Sequence, residues 1–401
     1  FIPGLSSIII GGLLTFFLLK NAKKAKLSKH QDSVLLVLIW VFAIIICAIP
    51  FFLKKDNMNF TESVFETTSG FSTIGLTVFT NFIDETGSVQ ASHIYIFWRA
   101  LLTLIGGVGL VLVITTAISD KYNLNLYSAE GHNDKLLPSL KRSALAIFGI
   151  YLGLILLGTL LYSIVFFASG ANTGDEIFEA LIHSISAVAT GGFSSRAGGL
   201  PDLYAAYGNG ISTWFELISI FLMLAGSINF LTHMFIITGQ FKKAWKDCEI
   251  RFLTAAILIV VPVFFVATLV GNTGDFSVFD SLRHGAFTFF SAITTTGFAT
   301  VSNIRLLGEG TMFLVVLINV IGGGAGSTAG GVKQYRVAVA AKSFYWGTRS
   351  RLGPSRMIYP HYIKRCGEER DLSPKESIES FGYIILYLTL MFVGGLLVTL
   401  F

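Results

Sequence analysis

Charge is scarce in this chain of 401 residues. Asp, Glu, Lys and Arg together make up 13% of it, against roughly a quarter in a soluble domain. So few charged groups cannot wet a whole surface, which excludes an ordinary soluble globular protein. Cysteine is rarer still. Cys47, Cys248 and Cys366 are odd in number and widely spaced, which excludes a disulfide framework and a zinc cluster. The chain also lacks an initial Met and a signal-peptide pattern. It begins at Phe1 inside an apolar run, so the N-terminus is expected to be a cut one. No acid, base or metal-ligand constellation converges within the apolar segments, so an intramembrane enzyme is the weakest of the function classes considered.

What the chain has instead is apolar length. Hydrophobic residues make up 53%, and several runs exceed the roughly 20 residues that span a bilayer. Residues 2–19, 34–53, 95–118, 144–168, 212–238 and 252–270 read as spans. So do residues 312 onward, up to a glycine run, and residues 378–401. Pro50 marks the end of the second. Between them lie segments too short to cross, over residues 59–72, 176–188 and 279–293. The net charge of +5 does not point to nucleic acid, because Lys and Arg alternate with Asp and Glu from loop to loop. Basic residues fill the loops after residues 19, 118, 238 and the glycine run, including Lys342, Arg349, Arg351, Arg356, Lys364, Arg365, Arg370 and Lys375. Acidic residues such as Glu62, Glu66, Asp175, Glu176, Glu179, Asp275 and Asp280 accompany the short segments. By the positive-inside rule the basic loops are cytoplasmic and the short segments enter from outside.

The short segments end in one grammar. Ser69-Gly70-Phe71-Ser72-Thr73-Ile74-Gly75, Ser186-Ala187-Val188-Ala189-Thr190-Gly191-Gly192 and Ser291-Ala292-Ile293-Thr294-Thr295-Thr296-Gly297 share the form Ser-[Gly/Ala]-apolar-x-Thr-x-Gly. Three copies about a hundred residues apart mark an internal repeat. Its unit is long helix, short helix, Thr-x-Gly, long helix. A short helix that stops inside a membrane leaves backbone carbonyls unpaired, and such backbone survives only along a water- or ion-filled path. Carbonyl oxygens there replace the hydration shell of K+. Glycine permits the necessary backbone angles, threonine adds a hydroxyl, and the helix C-terminus favours a cation.

These residues resemble the Trk/Ktr superfamily of potassium transporters, most closely the TrkH-type membrane subunit. The resemblance rests on the repeats, on Arg99 with Gly106-Gly107-Val108-Gly109, and on Asn229-Phe230-Leu231-Thr232-His233. Its most specific part is Gly322-Gly323-Gly324-Ala325-Gly326-Ser327-Thr328-Ala329-Gly330-Gly331-Val332-Lys333. It implies an all-α, polytopic protein of the cell membrane, with helix–pore-helix–helix units around one pseudo-fourfold pore. It implies a potassium filter at Thr73, Ile74, Gly75, Thr190, Gly191, Gly192, Thr295, Thr296 and Gly297. A glycine in the first filter goes with K+ and a serine with Na+ permeation, and this chain has Gly75. The run from Gly322 to Gly331 is then a gating loop below the filter, with Lys333 beside it. The ion is cargo, no organic cofactor is implied, and the partners are a second copy, a ring of nucleotide-binding regulatory subunits, and the bilayer.

On this reading residues 1–32 hold an N-terminal helix and basic loop. Residues 33–119, 120–239 and 240–345 are pore repeats, 346–376 a basic cytoplasmic loop, and 377–401 the first helix of a fourth repeat. The fourth filter is expected beyond residue 401. Other readings stand beside these. The glycine run also matches a relaxed dinucleotide fingerprint, but no Asp or Glu lies between Val332 and Gly367 to bind a ribose. Close helix packing through small residues is a second alternative for it. Lys333 is a pore-exit residue or a snorkelling interfacial lysine. Arg99 and Glu216 are pore residues or structural pairs. His183, His233 and His284 read as packed histidines, not ligands. A secondary transporter coupling Na+ or H+ to another substrate at glycine-broken helices is the runner-up function.

Overall fold

Lipid-facing helices announce themselves by what they fail to bury. In the computed structural model, which describes residues 29–53, 58–78, 93–109, 140–170, 174–274, 276–352, 361–365 and 367–400, four helices among the described residues are long and apolar enough to cross a bilayer. They are α1 (Lys29–Phe52), α4 (Leu140–Ala168), α10 (Cys248–Gly271) and α14 (Pro374–Thr399). Leu156, Leu160, Leu258, Ile259, Phe392 and Val398 on them all point outward. Apolar surface exposed on this scale is tolerated only in lipid or under a partner. The protein is an all-α polytopic membrane protein. The expected span over residues 2–19, with its basic loop, lies outside the described residues, as do residues 110–118 of the third span.

The chain divides at Ile211 and Ser212 into two compact units. The first contains two short helices framed by long ones. Helix α2 (Phe60–Phe71) starts with a capping box, in which Asn59 Oδ1 accepts from Glu62 N at 2.9 Å and Glu62 Oε2 accepts from Asn59 N at 2.8 Å. This satisfies two end donors of the helix at once. Phe51, Phe71 and Leu102 form a buried cluster between α1, α2 and α3 (His93–Val108), with Trp40 packed edge-on to Phe71 at 6.0 Å. Gly106 on α3 touches the backbone of Phe71, and any Cβ there would run into the Phe71 carbonyl. Helix α5 (Glu176–Val188) packs along α4, where Ser184 Oγ donates to Ile155 O at 2.7 Å. A short helix, α6 (Leu200–Tyr207), follows it.

The second unit begins with a correction. Residues 212–238 read as one span, but the helix breaks. α7 (Ser212–Ser227) and α8 (Phe230–Ile237) meet at 107°. A six-residue helix, α9 (Phe241–Lys246), leads into α10, whose N-cap is Asp247, accepting from Glu249 N at 2.8 Å. The third short helix, α11 (Val278–Ile293), is capped by Ser277 and packs on α10 through Phe264 and Phe289, 5.7 Å apart. α12 (Glu309–Ile321) stops at Gly322 as expected.

The stretch expected to be a basic loop over residues 346–376 is more ordered than that. α13 (Gln334–Leu352) runs into it. Strands β1 (Tyr362–Arg365) and β2 (Glu368–Asp371) then form an antiparallel hairpin in which Ile363 faces Arg370. Ile363 is fully buried with Cys248, Tyr335, Val339 and Leu372. One inward side chain among Tyr362-Ile363-Lys364-Arg365 and Glu368-Glu369-Arg370-Asp371 is too little alternation to mark a strand from sequence.

Candidate functional site

The three Thr-x-Gly segments share one backbone shape. Each short helix ends with the same pair of bonds. Thr73 N donates to Gly70 O and Ile74 N to Ser69 O, both at 3.1 Å. Thr190 N donates to Ala187 O at 3.2 Å and Gly191 N to Ser186 O at 2.8 Å. Thr295 N donates to Ala292 O at 3.0 Å and Thr296 N to Ser291 O at 2.9 Å. This is a Schellman ending, whose left-handed position is usually glycine. Here that position holds the threonine, with φ of 53° at Thr73, 50° at Thr190 and 53° at Thr295. A β-branched residue is a genuine outlier in this region, at a cost of roughly 1–3 kcal/mol. Two residues on, Gly75, Gly192 and Gly297 also have positive φ, at 77°, 71° and 86°. Three copies of the same strained turn mean that the surroundings force it, which is the behaviour of functional backbone.

Side chains strap each turn to its helix. Ser69 Oγ donates to Leu76 O at 2.5 Å, and the equivalent Ser291 Oγ to Phe298 O at 2.8 Å. In the second copy Ser186 Oγ is buried and has no partner among the described residues. That turn is held otherwise. His183 Nε2 meets Ser194 Oγ at 3.0 Å, and Ser195 Oγ donates to Glu179. In the first copy Glu66 takes the place of His183 and accepts from Thr77 Oγ1 at 2.9 Å and Val78 N at 3.1 Å. In the third, His284 Nδ1 meets Thr300 Oγ1 at 2.7 Å. These bonds occupy His183 and His284, while His233 Nε2 donates to Ala225 O at 2.7 Å. All three are packed, hydrogen-bonded histidines.

The straps leave the turn carbonyls free. Among the described residues no N–H or O–H donates to the carbonyl oxygens of Ile74, Gly75, Gly191, Gly192, Thr296 or Gly297. With no protein donor on them, these six carbonyls are available as ligands. In the first unit two turns touch. A Cβ at Gly75 would collide with the Gly191 carbonyl and come within 3.1 Å of Gly192 Cα. At Gly191, a Cβ would strike the Thr103 methyl on α3.

Arg99 and Glu216 resolve as structural pairs. Arg99 Nε lies 2.6 Å from Glu66 Oε1, with both side chains almost fully buried, and its guanidinium covers the Phe193 ring at 4.1 Å. Glu216 on α7 takes both arms of Arg283 on α11, at 2.6 and 2.7 Å. Each pair ties a long helix to a short one, and each stands outside the turns themselves.

The glycine run folds into a loop that leaves and rejoins one helix end. Val332 N and Lys333 N donate back to Val320 O and Ile321 O of α12, at 2.9 and 3.0 Å. Gly322 and Gly331 pack backbone to backbone, each at positive φ with no room for a Cβ. These two glycines pack closely against each other within the loop, not between helices. The loop fills the break between α7 and α8: Gly324 N donates to Ser227 O at 2.9 Å, Thr328 N to Gly226 O at 3.2 Å, and Phe230 N to Gly326 O at 3.1 Å. Ser327 Oγ closes the loop internally on Gly324 O at 2.7 Å. Lys333 turns its Nζ back to Ala329 O and sits at positive φ, so it closes the loop and does not snorkel.

Two contacts were not legible beforehand. Gly330 N donates to Thr295 Oγ1 at 2.6 Å, joining the loop to the third Thr-x-Gly turn. Ala325 N donates to Glu249 Oε1 at 2.7 Å, where Glu249 is buried in the first turn of α10. The first could have been guessed from the hydroxyl in the repeat, whereas nothing in the sequence separates Glu249 from other first-turn acids.

A family model described as TrkH, cation transport protein, matches residues 1–400. An uncharacterized cation transporter of Methanocaldococcus jannaschii is 28% identical over 400 residues, covering 99% of this chain and 75% of the relative. The Trk system potassium uptake protein TrkH of Salmonella typhimurium is 28% identical over 387 residues, covering 94% and 73% respectively. Among solved structures, the potassium transporter TrkH of Vibrio parahaemolyticus shares the fold with a TM-score of 0.74 at 23% identity, over 94% of this chain and 74% of that one.

Proposed function

The chain belongs to the TrkH family of cation transport proteins, and from that premise we propose that it carries K+ across the cell membrane along the backbone of its Thr-x-Gly turns. The observation that carries this is the unsatisfied carbonyls behind three identically strained threonines. Carbonyls that protein donors leave alone replace water around a cation without first breaking a hydrogen bond. The relatives named as potassium uptake proteins support K+ as the cargo. Gly75 supports it again, because its contact with the second turn leaves no space for a serine side chain. Thr73, Ile74, Gly75, Thr190, Gly191, Gly192, Thr295, Thr296 and Gly297 are the proposed filter, one turn from each repeat. The repeats are residues 33–119, 120–239 and 240–345. No covalent chemistry is involved.

The loop from Gly322 to Lys333 is the proposed gate. It is bonded to the filter through Thr295, to α10 through Glu249 and to the α7–α8 break through Gly226, Ser227 and Phe230, so its backbone has separable anchor points. Movement of the loop exchanges the hydrogen bonds at these anchors. Relatives named as parts of a Trk system support a membrane subunit that works with others. A second copy and a ring of nucleotide-binding subunits on the cytoplasmic face are the proposed partners. The test is growth of a strain lacking K+ uptake at low external K+, with the full-length gene supplied. Restored growth is expected. Failure with folded protein in the membrane would overturn the reading.

A further inference from the structure

Between α8, α9 and the start of α10 lies an open groove of about 600 Å³. Its wall is apolar, with Ile236, Trp245 and Ile250 prominent, and its rim carries Lys242, Lys246 and Arg251. Among the described residues none of the three cations is held in an ion pair. Arg251 Nε only donates to the Trp245 carbonyl, at 3.3 Å. The nearby acid Glu369 is taken by Lys364 at 2.5 Å. Phe241 and Trp245 are well exposed beside these charges, and the alternation of loop charge puts the segment on the cytoplasmic side. An apolar cleft rimmed by three cations, none of them held in an ion pair among the described residues, at a membrane surface has the polarity of one ligand class, an acyl chain with an anionic phosphate head.

The walls of the groove are also the supports of the glycine loop. α8 lends Thr232 and Ile236 to the groove, while its first residue, Phe230, donates to Gly326 O at 3.1 Å. The first turn of α10 lends Ile250 and Arg251, while the preceding residue, Glu249, accepts from Ala325 N at 2.7 Å. We propose that the groove binds an anionic phospholipid of the cytoplasmic leaflet, and that the bound lipid braces α8 and α10 against the loop and so lowers basal ion flux. The coupling half rests on the gating function proposed above; the binding half does not.

Binding is read on the purified full-length protein by native mass spectrometry with added phosphatidylglycerol or phosphatidylcholine. The parent retains phosphatidylglycerol preferentially. With each interfacial cation contributing roughly a fivefold gain in affinity, the exposed single variant Lys242→Gln loses about fivefold. The triple variant Lys242→Gln, Lys246→Gln, Arg251→Gln loses about a hundredfold. Equal retention by parent and Lys242→Gln overturns the site even if the triple variant fails to fold. Equal competition by soluble glycerol phosphate overturns the lipid as its occupant, and so does the absence of any preference for phosphatidylglycerol, the result expected if an acidic protein segment docks there. Coupling is read as K+ flux in vesicles. In phosphatidylcholine containing phosphatidylglycerol, the variants leak several-fold more than the parent, and in phosphatidylcholine alone they match it. Equal flux in both vesicles overturns the coupling, while a parent that passes no K+ in either vesicle overturns the transport reading instead.

Discussion

Removing the Glu249 carboxylate is the sharpest test of the loop as a gate. In the structure Glu249 Oε1 is 2.7 Å from Ala325 N, and the residue is only 5% exposed. Glu249→Ala leaves the Ala325 N–H buried without its acceptor. A hydrogen bond to a charged group is worth about 1.5–3 kcal/mol, and each 1.4 kcal/mol is a tenfold change in population. The seated loop therefore loses a factor of roughly 10–150 against displaced arrangements. Because the backbone bonds that close each filter turn run to its own helix, and Thr295 alone meets the loop through its hydroxyl, ion preference is expected to stay as it was. Glu249→Gln retains an acceptor oxygen of the same shape and stays within about tenfold of the parent, as a neutral hydrogen bond is worth roughly 1–1.5 kcal/mol less than one to a charged group. The assay is K+ and Na+ flux through the full-length protein in vesicles, without any activating partner. A rise in basal flux for the alanine variant at a constant K+/Na+ ratio is expected. Unchanged flux from folded protein would refute the latch, and a rise accompanied by lost selectivity would refute the separation of filter and gate.

Three further outcomes follow from the same geometry. Gly75→Ser brings a side chain against the Gly191 carbonyl at φ 77°; the K+/Na+ flux ratio falls, and an unchanged ratio refutes the filter assignment. Thr73→Gly relieves a left-handed β-branched residue, φ 53°. It therefore raises thermal stability by about 1 kcal/mol or more while lowering K+ preference, and a loss of stability would show that the threonine is not strained. Arg99→Ala leaves Glu66 buried beside no cation and destabilises by about 3–5 kcal/mol. Replacing both residues with apolar ones of similar size recovers most of that in a thermal melt, and failure to recover would mean the pair does more than hold helices together.

The repeat was legible because its chemistry is local. The helix α5 begins and ends where the sequence places it, at residues 176–188, since Ala187 and Ser186 supply their own closing bonds to the Thr-x-Gly turn. The glycine run was legible for a related reason, as consecutive glycines cannot hold a helix cheaply. The break between α7 and α8 was hidden. Ala225-Gly226-Ser227-Ile228-Asn229 contains no proline and reads as continuous span. What breaks it is a swap of partners. Phe230 N leaves its own helix for Gly326 O, and the vacated Gly226 O accepts from Thr328 N. Those acceptors and donors come from far along the chain, so no local pattern announces them. The hairpin at residues 362–371 was hidden likewise, because its burial depends on Ile363 reaching a pocket made by α10 and α13.

That swap ties the bend to a segment made later in synthesis. Ser212–Ser227 and Phe230–Ile237 together are apolar enough to cross the membrane as one rod. Until the ribosome has made the glycines at 322–331, the only acceptors within reach of Phe230 N–H are those of its own helix, and a hydrocarbon environment does not forgive an empty donor. The bend therefore needs its distant counterpart, the segment that exchanges bonds with it. The finished bend depends on a segment translated well after the one that bends.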